Sequence, residues 1–352
     1  MKTTIGGGRA WHYSHSIGRQ TAEHNESKFG RTGGSCTPMD VSVFGEFIFT
    51  LSRGFGFTTS GYYGDLGNRI GKTTFAEDHL GDFARNGFTW PNSLAISAEG
   101  NVFCSDEYEN TIYAFGPDQI VTFPEANPNG ESIFNWGSSG SGPGQLNGPT
   151  GIAFDKENNL CVVDSKNNRI QIFSVTGDFI KQWGNEGNGP GEFNNPWGLT
   201  LDYKGDVYVA DWGNNRVQKF DSDGNYLSSF GYSEEPEACL NHPAHVAVDS
   251  QGDVYVTDWG NSRVQIYEPD GEIIASLYGD ADDYSKAGLY VLNRDPESIK
   301  KVRQNPDPMQ YLATFGKPTG ITITKDNRII IADTRCRLQI YQKDNEYSEP
   351  PT

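Results

Sequence analysis

The sequence predicts an all-β fold, a six-bladed β-propeller, on three observations. A unit of about 47 residues recurs along the chain, each copy breaks into short strand-like runs, and the last copy lacks its fourth run, which the N-terminus supplies. A propeller of this size is one unit, so residues 1–352 are expected to form a single domain.

The repeat is clearest in the middle. PWGLTLD from Pro196 and GDVYVADWGNNRVQ from Gly205 reappear 47 positions later as PAHVAVD from Pro243 and GDVYVTDWGNSRVQ from Gly252. The same spacing runs back to PTGIAFD from Pro149 and LCVVDSKNNRIQ from Leu160. Further copies start at Pro318, at Pro91 and, in degenerate form, at Pro38. Fifteen places after the Pro stands an Asp in five copies: Asp106, Asp164, Asp211, Asp258 and Asp333. The copy from Pro38 has Arg53 there. Arg169, Arg216 and Arg263 follow their Asp by five, so carboxylate and guanidinium are expected to tie the loop between strands two and three.

Each copy reads as four strands. Val-Ala-Val is the first, a Gly-Asp turn leads to a second such as Val-Tyr-Val-Thr, the Asp-Trp-Gly-Asn loop leads to the third, and an Asp-Gly turn leads to the fourth. Such a sheet cannot bury both faces alone, and radial packing buries them. After Ile340 no fourth strand follows, whereas Tyr13–Arg19 parallels the fourth strand from Tyr226. Residues near 10–18 should therefore complete the last blade. That places His12 and His15 far from the axis.

This pattern, with its Asp, Gly-Asn and Arg-Val-Gln, resembles the NHL-repeat family over nearly the whole chain. The resemblance implies a six-bladed propeller used either as an interaction module or as an enzyme. The family's enzyme class, the peptidyl-hydroxyglycine amidating lyases, implies zinc held by three histidines at the channel mouth. Here only His79, His242 and His245 are available for such a set, with Asp40 as an oxygen ligand for calcium.

Charge and composition narrow the function. A net charge of −18 disfavours both nucleic acid, which needs clustered Lys and Arg, and an anionic membrane. No apolar run reaches the length of a span, and Met1–Arg19 lacks the apolar stretch of a secretory signal. The five cysteines, Cys36, Cys104, Cys161, Cys239 and Cys336, are widely spaced without CxxC and are expected to be reduced, in a cytoplasmic protein. The longest surplus between copies, about residues 280–314, includes a helix-like run at Ser298–Arg303 and is a candidate lid.

Chemistry is sought where the chain breaks its own rule. The residue two places after each Pro should line the channel: Asp40, Ser93, Gly151, Gly198, His245 and Gly320. Small residues suit a crowded axis, so Asp40 and His245 are the departures. With Arg53 they are the candidate catalytic residues: His245 for proton transfer, Asp40 beside it, and Arg53 for a carboxylate or oxyanion. Ser93, Trp212 and Trp259 are the candidate substrate-binding residues. The expected activity is that of a lyase or hydrolase on a small polar or carboxylate-bearing ligand in the channel mouth, by acid–base or metal-assisted chemistry. The alternative is a non-catalytic propeller that binds a protein or peptide.

Overall fold

A computed structural model describes residues 2–18, 37–53, 68–85, 87–117, 132–281, 285, 286, 289, 297 and 313–347. Strands dominate because each copy alternates short β-branched and aromatic runs with Gly and Asn turns. Blade 1 is Thr37–Phe44, Phe47–Arg53, Arg69–Thr74 and His79–Arg85. Blade 2 is Pro91–Ile96, Val102–Asp106, Thr111–Phe115 and the short Phe134–Trp136. Blades 3, 4 and 5 start at Pro149, Leu199 and Pro243 and end on Trp183, Phe230 and Leu277. All are antiparallel sheets with strands in sequence order.

Blade 6 joins the two ends of the chain. Pro318–Ile323, Arg328–Asp333 and Arg337–Asp344 are followed in space by Arg9–Gly18, which pairs with the last of them from Ala10↔Asp344 to Gly18↔Arg337. The N-terminal closure is as the sequence predicts. An extra, fifth strand, Thr3–Gly6, lies outside Arg9–Gly18. His12 and His15 accordingly sit on this outer layer, bonded to Thr3 Oγ1 and to the Phe75 carbonyl.

Neighbouring sheets pack face to face. Ala95, Phe103 and Ile112 of blade 2 meet Ile152, Leu160, Val162 and Phe173 of blade 3 in one buried cluster, and equivalent clusters fill the other gaps described. The loop between strands two and three is a 3-10 turn in three blades, as at Trp212–Asn214, and ends on a left-handed residue: Asn168, Asn215 or Ser262, all with φ near +55°. Asn tolerates that conformation better than most side chains.

The recurring Asp pairs with its Arg as expected and also organises the rest of this face. Asp164 accepts the Arg169 Nε at 2.8 Å and also the backbone N–H of Asn147, in the connection arriving from the previous blade. Arg169 continues to the carbonyls of Ser141, Gly142 and Gln145. Blade 4 repeats this with Asp211, Arg216, Asn188, Gly189 and Glu192. The pair therefore pins the incoming connection as well as its own loop.

The surplus at 280–314 falls mainly outside the described residues, including Ser298–Arg303. Within it, Ser285 bonds the Gly18 carbonyl and Lys286 reaches Glu77 and Ala76, at the outer junction of blades 6 and 1. Among the described residues no helix is long and apolar enough to cross a membrane.

Candidate functional site

The first strands converge on the axis, and the glycines there are required by close approach. A Cβ on Gly198 would lie 2.5 Å from the Ala244 carbonyl and 2.7 Å from the His245 ring, and one on Gly320 would lie 2.4 Å from Asp40 Oδ1. The two larger side chains occupy the room their neighbours leave. His245 Nε2 stands 3.9 Å from Asp40 Oδ1, so blades 5 and 1 meet across the channel.

Asp40 is 2% exposed and its oxygens are engaged. Oδ1 accepts the Val41 N–H at 2.8 Å, and Oδ2 accepts the Ser93 hydroxyl at 2.6 Å and the Leu94 N–H at 2.9 Å. Ser93 Oγ in turn accepts the Ile152 N–H at 3.3 Å. His245, Asp40, Ser93 and Ile152 thus wire blades 5, 1, 2 and 3 together. Ser93 is 2% exposed and serves this ring of bonds. Thr150, Thr257 and Thr319 extend it to the Trp197, Thr319 and Pro38 carbonyls.

His245 is the more open member, with its side chain 12% exposed. Its backbone N–H is held by Thr257 Oγ1 at 2.7 Å, and Nδ1 lies 3.1 Å from the Val246 carbonyl. A ring donating from Nδ1 presents Nε2 to the channel beside Asp40.

Arg53 turns to the gap between blades 1 and 2. Its Nε donates to the Pro91 carbonyl at 2.6 Å, its guanidinium lies 4.5 Å over the Trp90 ring, and Nη2 is 3.8 Å from Glu107 Oε2. Burial pushes the Arg53 pKa down to about 10, against the opposing pull of Glu107 and Asp106. It shares the loop face with Asp40 and His245 but stands to one side of their pair.

The tryptophans divide. Trp212 packs beside Trp197, with ring centroids 6.1 Å apart, and the His242 ring centroid lies 4.1 Å from its own. Trp259 is more open and carries the Lys317 ammonium 4.8 Å above its ring.

The three-histidine zinc set is not brought together. His79 begins the outermost strand of blade 1, paired with Thr73. His242, half-buried beside Trp212, bonds Asn241 through Nδ1 at 2.6 Å, whereas His245 faces Asp40 on the axis. Among the described residues no group of three or more His, Cys, Asp or Glu is placed to hold a metal ion. The donors do not fit zinc, and Asp40 has given its oxygens to three hydrogen bonds rather than to a calcium shell.

Sequence reasoning missed a crossbar over the mouth. Trp197 of blade 4 donates its indole Nε1–H to Asn92 Oδ1 of blade 2 at 2.9 Å, passing blade 3. Asn92 donates to Glu107 Oε2 at 3.3 Å, and Lys166 pairs with Glu107 Oε1 at 3.3 Å. Trp197 and Asn92 both stand one place after their Pro, so the offset next to the one chosen carried the signal.

Comparison with known proteins agrees with this architecture. The family described as a 6-bladed beta-propeller matches residues 145–246, and the NHL repeat matches residues 240–267. The E3 ubiquitin-protein ligase TRIM71 of Rattus norvegicus is 27% identical over 172 residues, covering 38% of this chain and 20% of that protein. The peptidyl-glycine alpha-amidating monooxygenase of Mus musculus is 38% identical over 95 residues, covering 25% of this chain and 9% of that protein. The chain thus spans a fifth or less of these relatives' length. A solved protein of unknown function from Bacteroides thetaiotaomicron VPI-5482 superposes with a TM-score of 0.61 at 17% identity, over 96% of this chain and 76% of that one. A streptogramin B lyase does so at 0.54 and 14% identity, over 89% and 95%. These likenesses carry the fold.

Proposed function

We propose that this chain, a six-bladed β-propeller built of NHL repeats, is an enzyme of the lyase or hydrolase type. It acts on a small polar or carboxylate-bearing molecule at the loop-face mouth of its channel. One observation carries the reading: the histidine that replaces a channel glycine, His245, is partly open at the axis with Asp40 held behind it. Asp40 is held in place by three donors, which suits a group that orients the imidazole rather than one that moves. Arg53 supplies a cation for the substrate carboxylate, and Trp212 and Trp259 wall the approach. The acid–base chemistry asks nothing of a metal. The free thiols of Cys104, Cys161 and Cys239 support a reducing, cytoplasmic setting, while Cys36 lies outside the described residues.

The test is consumption of a panel of small hydroxy acids, half-esters and amides, followed by NMR with the wild type and with His245→Gln. General acid–base catalysis contributes about 10²–10⁴-fold, so His245→Gln should lose at least about a hundredfold in turnover while melting within a few degrees of the wild type. Equal turnover in the two proteins would remove His245 from the chemistry.

A second reading has its own observation. Tyr108, Tyr232, Tyr278 and Trp90 are 71, 88, 55 and 42% exposed on or beside the loop face, a composition common at protein interfaces. If the face binds a peptide, His245 variants will be silent and Tyr108→Ala with Tyr232→Ala will abolish capture.

A further inference from the structure

We infer that Arg53 is the anchor of a carboxylate subsite that Glu107 guards as a built-in competitor, and that ligand binding there is coupled to the Trp197 crossbar. This rests on the proposed small-molecule site and adds to it the group that grips the ligand and the contact that regulates its entry.

The argument begins with the repeat. In five blades the position fifteen after the Pro holds a fully buried carboxylate that accepts the backbone N–H two places before that Pro: Thr89, Asn147, Asn194, Asn241 and Gly316. Blade 1 places a guanidinium at this offset, so a donor stands where the fold elsewhere keeps an acceptor. Arg53 is 7% exposed, and its Nη2 is buried with no hydrogen-bond partner. An unmet charged donor in that setting is costly, and a carboxylate is the group that matches its geometry.

Glu107 is the carboxylate at hand, yet it stops 3.8 Å short of Nη2. Asn92 holds Oε2 and Lys166 holds Oε1, so Glu107 is drawn away from the guanidinium by two other partners. The contact shields Nη2 from water without satisfying it. A ligand carboxylate reaches Nη2 only as Glu107 swings aside, and Lys166, half exposed, can follow it outward. Asn92 loses one of its two described side-chain partners in that step. The other is the Trp197 indole, whose bond spans the mouth from blade 4 to blade 2. Displacing Glu107 therefore loosens the crossbar above the pair formed by Asp40 and His245.

The experiment titrates N-acetylglycinate and succinate into the full chain, with sodium chloride at matched ionic strength as control. Heat of binding and intrinsic tryptophan fluorescence are both recorded. Glu107→Gln keeps the hydrogen-bonding shape and removes the competing charge, so it should tighten binding of at least one probe about fivefold or more. Arg53→Lys should weaken it about tenfold or more, with Arg53→Gln as a second variant if the first does not fold. Asn92→Ala should tighten probe binding about twofold or more and lose the ligand-induced fluorescence change, because Glu107 no longer has to leave Asn92 and the crossbar is already free. Binding that is unchanged or weaker in Glu107→Gln, or unchanged in Arg53→Lys, overturns the inference, as does the absence of binding in both wild type and Glu107→Gln. His245→Gln separates this result from the functional reading. It should leave probe affinity within about twofold, so anion binding with no His245-dependent turnover would sink the enzyme and leave the subsite standing.

Discussion

Asp211 shows how much structure one repeated side chain carries. It is fully buried, accepts the Asn194 N–H at 2.8 Å, and binds Asn214, Arg216 and Gln218 through Oδ2. Burial raises its pKa despite these donors. Asp211→Ala strands the Arg216 guanidinium and frees the incoming connection, so it should cost about 3–5 kcal/mol, the range for breaking a buried pair from one side. Urea unfolding at pH 7 measures this, and a loss under about 1 kcal/mol would make the Asp ornamental. The sequence showed this residue plainly, because five copies place it at one offset. It did not show that Gln218, seven places on, shares the same oxygen, although Gln171 does likewise in blade 3. Asp40 was legible as a departure from the pattern but not as a hydrogen-bond hub, since Ser93 and Leu94 reach it from the next blade. Contacts between copies leave no trace in the spacing within one copy.

At the scale of the strand, the ends of the chain matter most. Arg9–Gly18 was legible because its residues parallel an internal fourth strand, and the unfinished last copy required a partner. Thr3–Gly6 was not, since among the described residues no other blade has a fifth strand to compare. Trp11 explains why the N-terminal strand is more than a cover. It is fully buried, its ring meets Tyr255 edge-on at 6.4 Å, and its Nε1 donates to the Tyr255 hydroxyl at 3.0 Å in blade 5. Deleting residues 2–18 exposes the edge of Arg337–Asp344 and empties this contact, so both blade 6 and its junction with blade 5 fail. The truncated chain should aggregate or melt far below the full chain, because an unpaired edge beside exposed apolar surface invites association. Retention of the full-length melting temperature, read by circular dichroism, would mean that the ring closes some other way. The Trp11→Phe variant refines the test: it keeps most of the packing and loses the bond to Tyr255, and should cost about 1 kcal/mol.

For the whole ring, closure also depends on charges that the repeat neutralises in two different ways. In blade 4, Asp202 and Asp206 are met by Lys219 of the same blade, at 3.8 and 2.9 Å. Blade 5 repeats the two carboxylates as Asp249 and Asp253, but the place of Lys219 falls to Ile266. Lys343 of blade 6 crosses the junction instead, is 4% exposed, and binds Asp249, Asp253 Oδ2 at 2.7 Å and Gln251 at 2.9 Å. Arg9 from the N-terminal strand adds a 3.0 Å contact to Asp253 and a 2.9 Å contact to Glu268, and Tyr255 donates to Asp249. The last two pieces of the ring thus carry the cations that blade 5 lacks. Removing Lys343 leaves two buried carboxylates side by side with Arg9 as their remaining described cation. Burial already raises the Asp253 pKa above the ordinary 3.8, and Oδ1 has no partner. A carboxyl whose folded pKa is raised favours the folded state most when protonated, so its contribution is present below about 3.8 and is lost as pH rises through the folded value. Lys343→Met takes away an attraction that opposes this shift and should move the folded value further up. The variant should therefore melt well below the wild type at pH 7.5, and the gap should narrow as pH falls towards 5. Asp253→Asn placed on Lys343→Met should recover part of the loss at pH 7.5 and flatten its pH dependence, since it removes the group that titrates. Melting curves of the three proteins between pH 5 and 8 decide the matter, and a gap that stays constant with pH would show that Lys343 holds the ring by packing alone.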